Sequence, residues 1–216
     1  FCGEGKFIQN DGETYIGTWF MGKRDGYGKS VFANGDIYVG QWERDHVCGK
    51  GVMFYSNSGN LYDGLWNKGA RNGLGTLKLK NGGVFNGFFK DGKIHGRGVF
   101  KYGNGDQYRG KFNCGHKDGK GVFTWANGNV YRGSFKNDKL EGMGEMRYAV
   151  GHYYIGNWKN GKKDGKGELH YNDGNMYTGD WSEDQRYGYG KFVWNEMMKS
   201  HRESYEGNWI NNRREG

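Results

Sequence analysis

The side chains able to do chemistry are few and far apart. Metal binding would fall to the three cysteines, Cys2, Cys48 and Cys114, and to the six histidines. A structural zinc site needs four such ligands converging at short spacing. His46 and Cys48 form a lone pair with no other soft ligand nearby, so no metal site is expected. Gly26-Tyr27-Gly28-Lys29-Ser30 ends in a Gly-Lys-Ser run that suggests phosphate binding. A P-loop requires another glycine five residues before the second one, and Lys23 stands there. Acidic residues such as Asp25, Asp164 and Asp184 sit in turn-like segments, where a local backbone hydrogen bond is the expected role. With no Ser/His/Asp or Cys/His set in view, neither a catalytic activity nor a cofactor is expected. Aromatic rings and cations remain, and these serve recognition.

The elements that position them follow from composition. The chain has 216 residues, 43 of them Gly and none Pro. Collagen is excluded, since it needs Gly at every third position and abundant Pro. Aromatics at 17% argue against a disordered Gly-rich tail. A hydrophobic fraction of 34% and a mean hydropathy of -1.00 argue against one thick core. No apolar run reaches the length of a membrane-spanning helix, and no apolar signal segment opens the chain. Three cysteines are an odd, low number and suggest a reducing compartment. The net charge of +8 keeps an aromatic-rich surface soluble and biases it toward acidic partners.

A repeat runs through the whole chain. The pattern aromatic-x-Gly-x-aromatic begins at Tyr15, Tyr38, Tyr62, Phe85, Tyr108, Tyr131, Tyr154, Tyr177 and Tyr205, mostly in steps of 23 residues. Eleven residues after each first aromatic stands a Gly, which begins a Gly-x-Gly pair in the first eight units, as at Gly165/Gly167, and is Gly216 in the ninth. Residues spaced by two share one face of a strand. Each unit therefore reads as an antiparallel hairpin with an aromatic face and a wet face, and the aromatic rings are expected to cover bare glycine backbone on the adjoining strand. Turn dipeptides such as Asn34-Gly35 and Asn127-Gly128 between hairpins suggest type I′ turns. The predicted fold is all-β, an elongated, twisted antiparallel β-meander of about nine hairpins forming one array over residues 1–216. The sequence begins and ends in mid-repeat, which suggests a piece of a longer array.

Tyr154-Ile155-Gly156-Asn157-Trp158 through Lys163-Asp164-Gly165-Lys166-Gly167 resembles the MORN repeat (membrane occupation and recognition nexus), and the resemblance spans nearly the whole chain. It implies an extended antiparallel sheet with a groove, and a scaffold or adaptor rather than an enzyme. MORN proteins occur in ciliary radial spokes, cytoskeletal rings and membrane junctions, and as accessory modules of enzymes. A cytoplasmic protein of a cytoskeletal or ciliary assembly, such as a radial spoke, is the expected setting. Phe85, Phe89, Phe112 and Phe135 depart from the usual Tyr or Trp.

Three surfaces are candidates for a partner. The aromatic face offers Tyr108, Phe112, Trp125, Tyr131, Tyr154, Trp158, Tyr177 and Trp181 as anchors for a peptide or helix. A row of turn cations, Lys23, Arg24, Arg71, Lys93, Lys117, Lys162, Lys163 and Arg186, is expected on one edge facing acidic lipid head groups or an acidic protein. Met197 and Met198 lie in a short insertion and offer an adaptable contact. Aromatic and basic positions occupy different phases, so no nucleic-acid partner is expected. Exposed sheet ends invite a homodimer.

Overall fold

The structure, a computed structural model, describes residues 2–195 and 203–215. Among these residues it is all-β, with nineteen strands and no helix. They are β1 (Gly3–Ile8), β2 (Thr14–Phe20), β3 (Lys23–Val31), β4 (Ile37–Glu43), β5 (His46–Tyr55), β6 (Asn60–Asn67), β7 (Ala70–Lys78), β8 (Val84–Lys90) and β9 (Lys93–Lys101). There follow β10 (Gln107–Asn113), β11 (His116–Thr124), β12 (Val130–Lys136), β13 (Lys139–Arg147), β14 (Tyr153–Lys159), β15 (Lys162–His170), β16 (Met176–Ser182), β17 (Gln185–Val193), β18 (Ser204–Ile210) and β19 (Arg213–Glu215).

The chain divides into two compact units, one of Phe1–Gly105 with Phe112–Gly115, the other of Asp106–Lys111 with His116–Gly216. In the first, β1 to β9 pair antiparallel, each with the next. In the second, β11 to β19 do the same. Each unit is the antiparallel meander that the repeat phase predicts.

The register shows why glycine recurs. On β14, Gly156 lies opposite Gly167 of β15, between the pairs Tyr154↔Leu169 and Trp158↔Lys163. A β-carbon on Gly167 would fall 2.1 Å from the Tyr154 hydroxyl, so the phenol ring occupies the space a side chain would need. The first glycine of the pair has a different task. Gly165 adopts φ +96°, and the β14–β15 register shifts between Gly156 and Trp158. One glycine thus makes a bulge and the other accepts a ring.

The turns correct the expectation about their types. The two-residue turns with positive φ at both positions lie inside the hairpins, as at Met21-Gly22 and Asn137-Asp138. The Asn-Gly turns between hairpins are three-residue loops. At Asn34-Gly35, Phe32 N–H donates to Asp36 C=O and Gly35 N–H donates to Phe32 C=O, and only Gly35 has positive φ. That is a type I turn closed by a left-handed glycine.

Turn carboxylates also act at longer range than expected. Asp184 Oδ1 accepts from Lys163 N–H at 2.9 Å, and Asp184 N–H donates to Lys163 C=O at 3.0 Å. Asp45 and Asp138 repeat this with Arg24 and Lys117. At glycine turns the backbone bond is kept, as from Gly161 N–H to Leu140 C=O, and in that turn Asn160 N–H also donates to Glu141 Oε2 at 3.0 Å. From Arg44-Asp45 onward each turn within a hairpin is thereby fastened to the preceding hairpin.

Candidate functional site

The first and second aromatics of the repeat meet edge to face. Tyr154 stands 5.2 Å from Trp158 at 90° and 5.4 Å from Trp181 at 83°. Tyr38 bridges Trp42 and Trp66 in the same way. Tyr15, Tyr38, Tyr62, Phe85, Tyr131, Tyr154 and Tyr177 each touch two second aromatics in this way, one in their own hairpin and one in the next, in a zigzag worth about 0.5–1.5 kcal/mol per pair beyond area burial.

The polar atoms of these rings are used within the sheet, the phenols inside their own repeat and the indoles on the one before. Tyr154 Oη donates to Asn157 C=O at 3.1 Å, and Tyr15, Tyr38, Tyr62, Tyr108, Tyr131 and Tyr177 each bond the carbonyl three residues on. Trp158 Nε1–H donates to Gly144 C=O, and Trp66 Nε1–H to Gly51 C=O. The repeat's taste for Tyr and Trp over Phe follows from these bonds.

Burial corrects the aromatic part of the expected partner site. Tyr108, Tyr131, Tyr154 and Tyr177 are 0% exposed, Phe112 1%, Trp158 4% and Trp181 5%. Their rings pack on glycine and on one another, leaving no face for an occupant. Trp125 is half-buried and remains available, tilted against Phe123 at 4.6 Å. It belongs to a row of which the expected site held Trp125 alone, two residues beyond the residue that pairs with each following first aromatic. In the first unit the row is Phe32, Tyr55, Leu79 and Tyr102, and in the second Trp125, Tyr148, Tyr171 and Trp194, all half-buried. The signal was the period-two spacing after each Gly pair. Met197 and Met198 lie outside the described residues.

The predicted cation edge is split by the pleat. Lys23 pairs with Phe20, while Arg24 pairs with Trp19, so neighbours in sequence face opposite sides of the sheet. Lys23, Lys93 and Lys162 are exposed, and Lys162 is ion-paired to Glu183. Arg24, Arg71, Lys117, Lys163 and Arg186 turn onto the ring face. Arg24 Cζ lies 4.3 Å from the Trp42 ring centroid, Lys163 Nζ 4.5 Å from Trp181 and Arg186 Cζ 4.4 Å from Trp209. Arg71 and Lys117 sit just over 5 Å from Phe89 and Phe123. These are cation–π contacts at the border of the buried rings. Burial lowers the pKa of Lys163, against the opposing pull of Asp184, while hydrogen bonding to Glu183 raises that of Lys162.

The ring face holds a cleft in each unit. Phe7, Glu13, Tyr15, Trp19, Arg24 and Asp45 line one of about 640 Å³. There Arg24 bonds Glu13 at 2.6 Å. Arg186, Phe192, Trp194, Trp209 and Arg214 line the other, of about 500 Å³. A third depression, about 690 Å³, lies on the opposite face among Met143, Ile155, Lys166, Thr178 and Tyr189. Burial pushes the phenols of Tyr62, Tyr131 and Tyr177 up to about 12 and that of Tyr38 higher still.

A family model described as MORN repeat matches residues 15–37, 38–59, 62–84, 85–107, 108–130, 131–153, 154–176, 177–196 and 205–216. No curated protein matches the chain. Among solved structures it is similar to the SAS-4 (dCPAP) TCP domain in complex with a proline-rich motif of Ana2 (dSTIL) from Drosophila melanogaster, at 13% identity over 72% of this chain and 90% of that one, with a TM-score of 0.41. It is also similar to a streptogramin B lyase structure at 12% identity over 96% of this chain and 84% of that one, with a TM-score of 0.17. Neither likeness is close enough to carry an argument.

Proposed function

Because the chain belongs to the MORN repeat family, we propose that it is a non-enzymatic scaffold that seats partner proteins on its ring face, in a cytoskeletal or ciliary assembly such as a radial spoke. One observation supports this reading above the others. On the ring face a row of half-buried aromatics runs along one side, Trp125, Tyr148, Tyr171 and Trp194 in the second unit. On the other side Lys117, Lys163 and Arg186 hold their charges over ring edges. Rigid amphipathic rings beside fixed cations suit a peptide or helix carrying apolar and acidic residues. The floor between them is packed by its own rings, so it orders nothing further when a partner lands.

The test is capture of proteins from ciliated tissue by the full chain, followed by the same capture with Trp125→Ala and Tyr148→Ala together. The expected result is axonemal proteins held by the parent chain and lost from the variant at unchanged melting temperature. Equal capture by both would overturn the ring-face assignment.

A second reading has its own observation. Lys23, Lys93 and Lys162 are exposed at turns and suit acidic lipid head groups. Salt-sensitive binding to acidic vesicles, lost on Lys23→Glu with Lys162→Glu, would support a membrane tether, and no binding would remove it.

A further inference from the structure

The face opposite the rings carries a cation cluster unrelated to the turn row. We propose that Arg109, Lys111, Lys120 and Arg132 form a docking patch for an extended acidic protein segment. Arg109 and Lys111 are alternate residues of β10, flanking Gly110 and placed beside the buried Tyr108 and Phe112. Lys120 precedes Gly121 of β11, the glycine covered by the Tyr108 ring, and Arg132 follows the buried Tyr131 on β12. The pleat therefore turns all four to the outer face, and all four are exposed. Lys120 pairs with Ser134 and Arg132 with Val122, so β11 and β12 carry two of the cations in adjoining register. The Lys111 side chain reaches to 3.3 Å of where a β-carbon on Gly119 would stand, which sets it next to Lys120.

Neighbouring carboxylates do not neutralise the cluster. Asp118 is ion-paired to Lys136 at 3.4 Å. Glu145 lies opposite Arg132 but is paired to Arg147 at 2.5 Å. None of the four cations makes an ion pair among the described residues. Farther along the same face of this unit, Lys166 pairs with Asp180 and Lys191 with Glu206.

Spacing and surroundings select the ligand. Same-face residues of a strand are roughly 6.5–7 Å apart and strands about 4.8 Å apart. An extended acidic segment shows alternate carboxylates at that same interval, so it can meet Arg109 and Lys111 in step while crossing to Lys120 or Arg132. Single-stranded nucleic acid would want aromatic platforms among the cations. The nearest outer-face neighbours are instead Val122, Thr124 and Ser134. A membrane surface would favour inserting apolar side chains, and among the described residues the large exposed hydrophobics skip from Phe88 to Met143.

The experiment measures the fluorescence anisotropy of a labelled oligoglutamate peptide with the full chain, at low and at physiological salt. The parent chain is expected to bind, more weakly as salt rises. Arg109→Glu, Lys120→Glu and Arg132→Glu together should weaken binding about tenfold or more, since three exposed ion pairs become repulsions. The neutral variant Arg109→Gln, Lys120→Gln and Arg132→Gln should lose several-fold, which keeps the test valid if charge reversal unfolds the chain. Lys23→Glu with Lys93→Glu and Lys162→Glu should leave binding unchanged, as should Trp125→Ala with Tyr148→Ala. The proposal is overturned if the parent fails to bind, or if the turn-lysine or ring-face variant loses as much. It is equally overturned if duplex DNA or phosphatidylserine vesicles bind the patch more tightly than the peptide. Loss confined to the ring-face variant would sink the patch and leave the scaffold reading intact.

Discussion

The two faces of the sheet obey different rules. On the ring face the same three positions read Tyr15-Gly17-Trp19, Tyr62-Gly64-Trp66 and Tyr154-Gly156-Trp158, and every residue is tied to a neighbouring strand. On the outer face the residue after each first aromatic reads Ile16, Val39, Asp63, Asn86, Arg109, Arg132, Ile155, Thr178 and Glu206. One face specifies the fold and tolerates little. The other is released from that duty and is free to differ from repeat to repeat, so individual recognition can be written there without cost to folding.

Substitutions on paired positions of β14 and β15 sharpen this contrast. The largest expected effect is Trp158→Ala, which removes a buried ring and its hydrogen bond to Gly144. It should destabilise by about 3–5 kcal/mol in urea unfolding, whereas Ile155→Ala, 43% exposed on the other face, should change stability by less than about 0.5 kcal/mol. Comparable losses would erase the distinction between faces. Gly167→Val comes next, since its side chain must displace the Tyr154 ring. A loss of about 3 kcal/mol is expected by the same measurement, with Lys166→Val on the same strand nearly neutral.

The buried phenols add a pH test. Tyr62, Tyr131 and Tyr177 are raised from 10.0 to about 12 by burial. A raised folded pKa contributes stability that is complete below pH 10 and is lost as the pH climbs through 12. Thermal melting should therefore hold steady to about pH 10 and fall steeply above it, with part of the tyrosinate absorbance appearing only on unfolding. A smooth titration of every tyrosine near pH 10 in the folded chain would contradict the ring packing. The smallest effect is Tyr154→Phe, which keeps the ring and deletes its bond to Asn157 C=O. About 1 kcal/mol is expected, a difference that Phe85 shows the repeat can carry.

Glycine and aromatic phase made the strands, their order and the ring-on-glycine contact legible, because each is a local periodicity. Turn types were less so. Met21, Arg44, Lys68 and Glu183 adopt positive φ although nothing in their chemistry favours it. The tight hairpin register imposes it on them. Which rings are sealed was hidden for another reason. Tyr154 is covered by Trp181 of the following hairpin as well as by its own Trp158, and such overlap depends on pairing between strands rather than on composition. The cation row was misjudged at a single step. Lys162 and Lys163 are adjacent letters, yet they pair with Lys159 and Trp158 respectively and so lie on opposite sides of the sheet.

The fastening of each turn to the hairpin before it has a consequence for how the protein opens. The Gly161 amide is held by Leu140 C=O, and that of Asp184 by Lys163 C=O. Solvent exchange at either amide thus reports on a strand some twenty positions upstream, not on the turn that bears it. Loosening one hairpin should free the next turn along before any change reaches the one after that. Hydrogen exchange mapped along the chain would then follow a directional sequence, turn by turn, with each amide keeping watch over its predecessor.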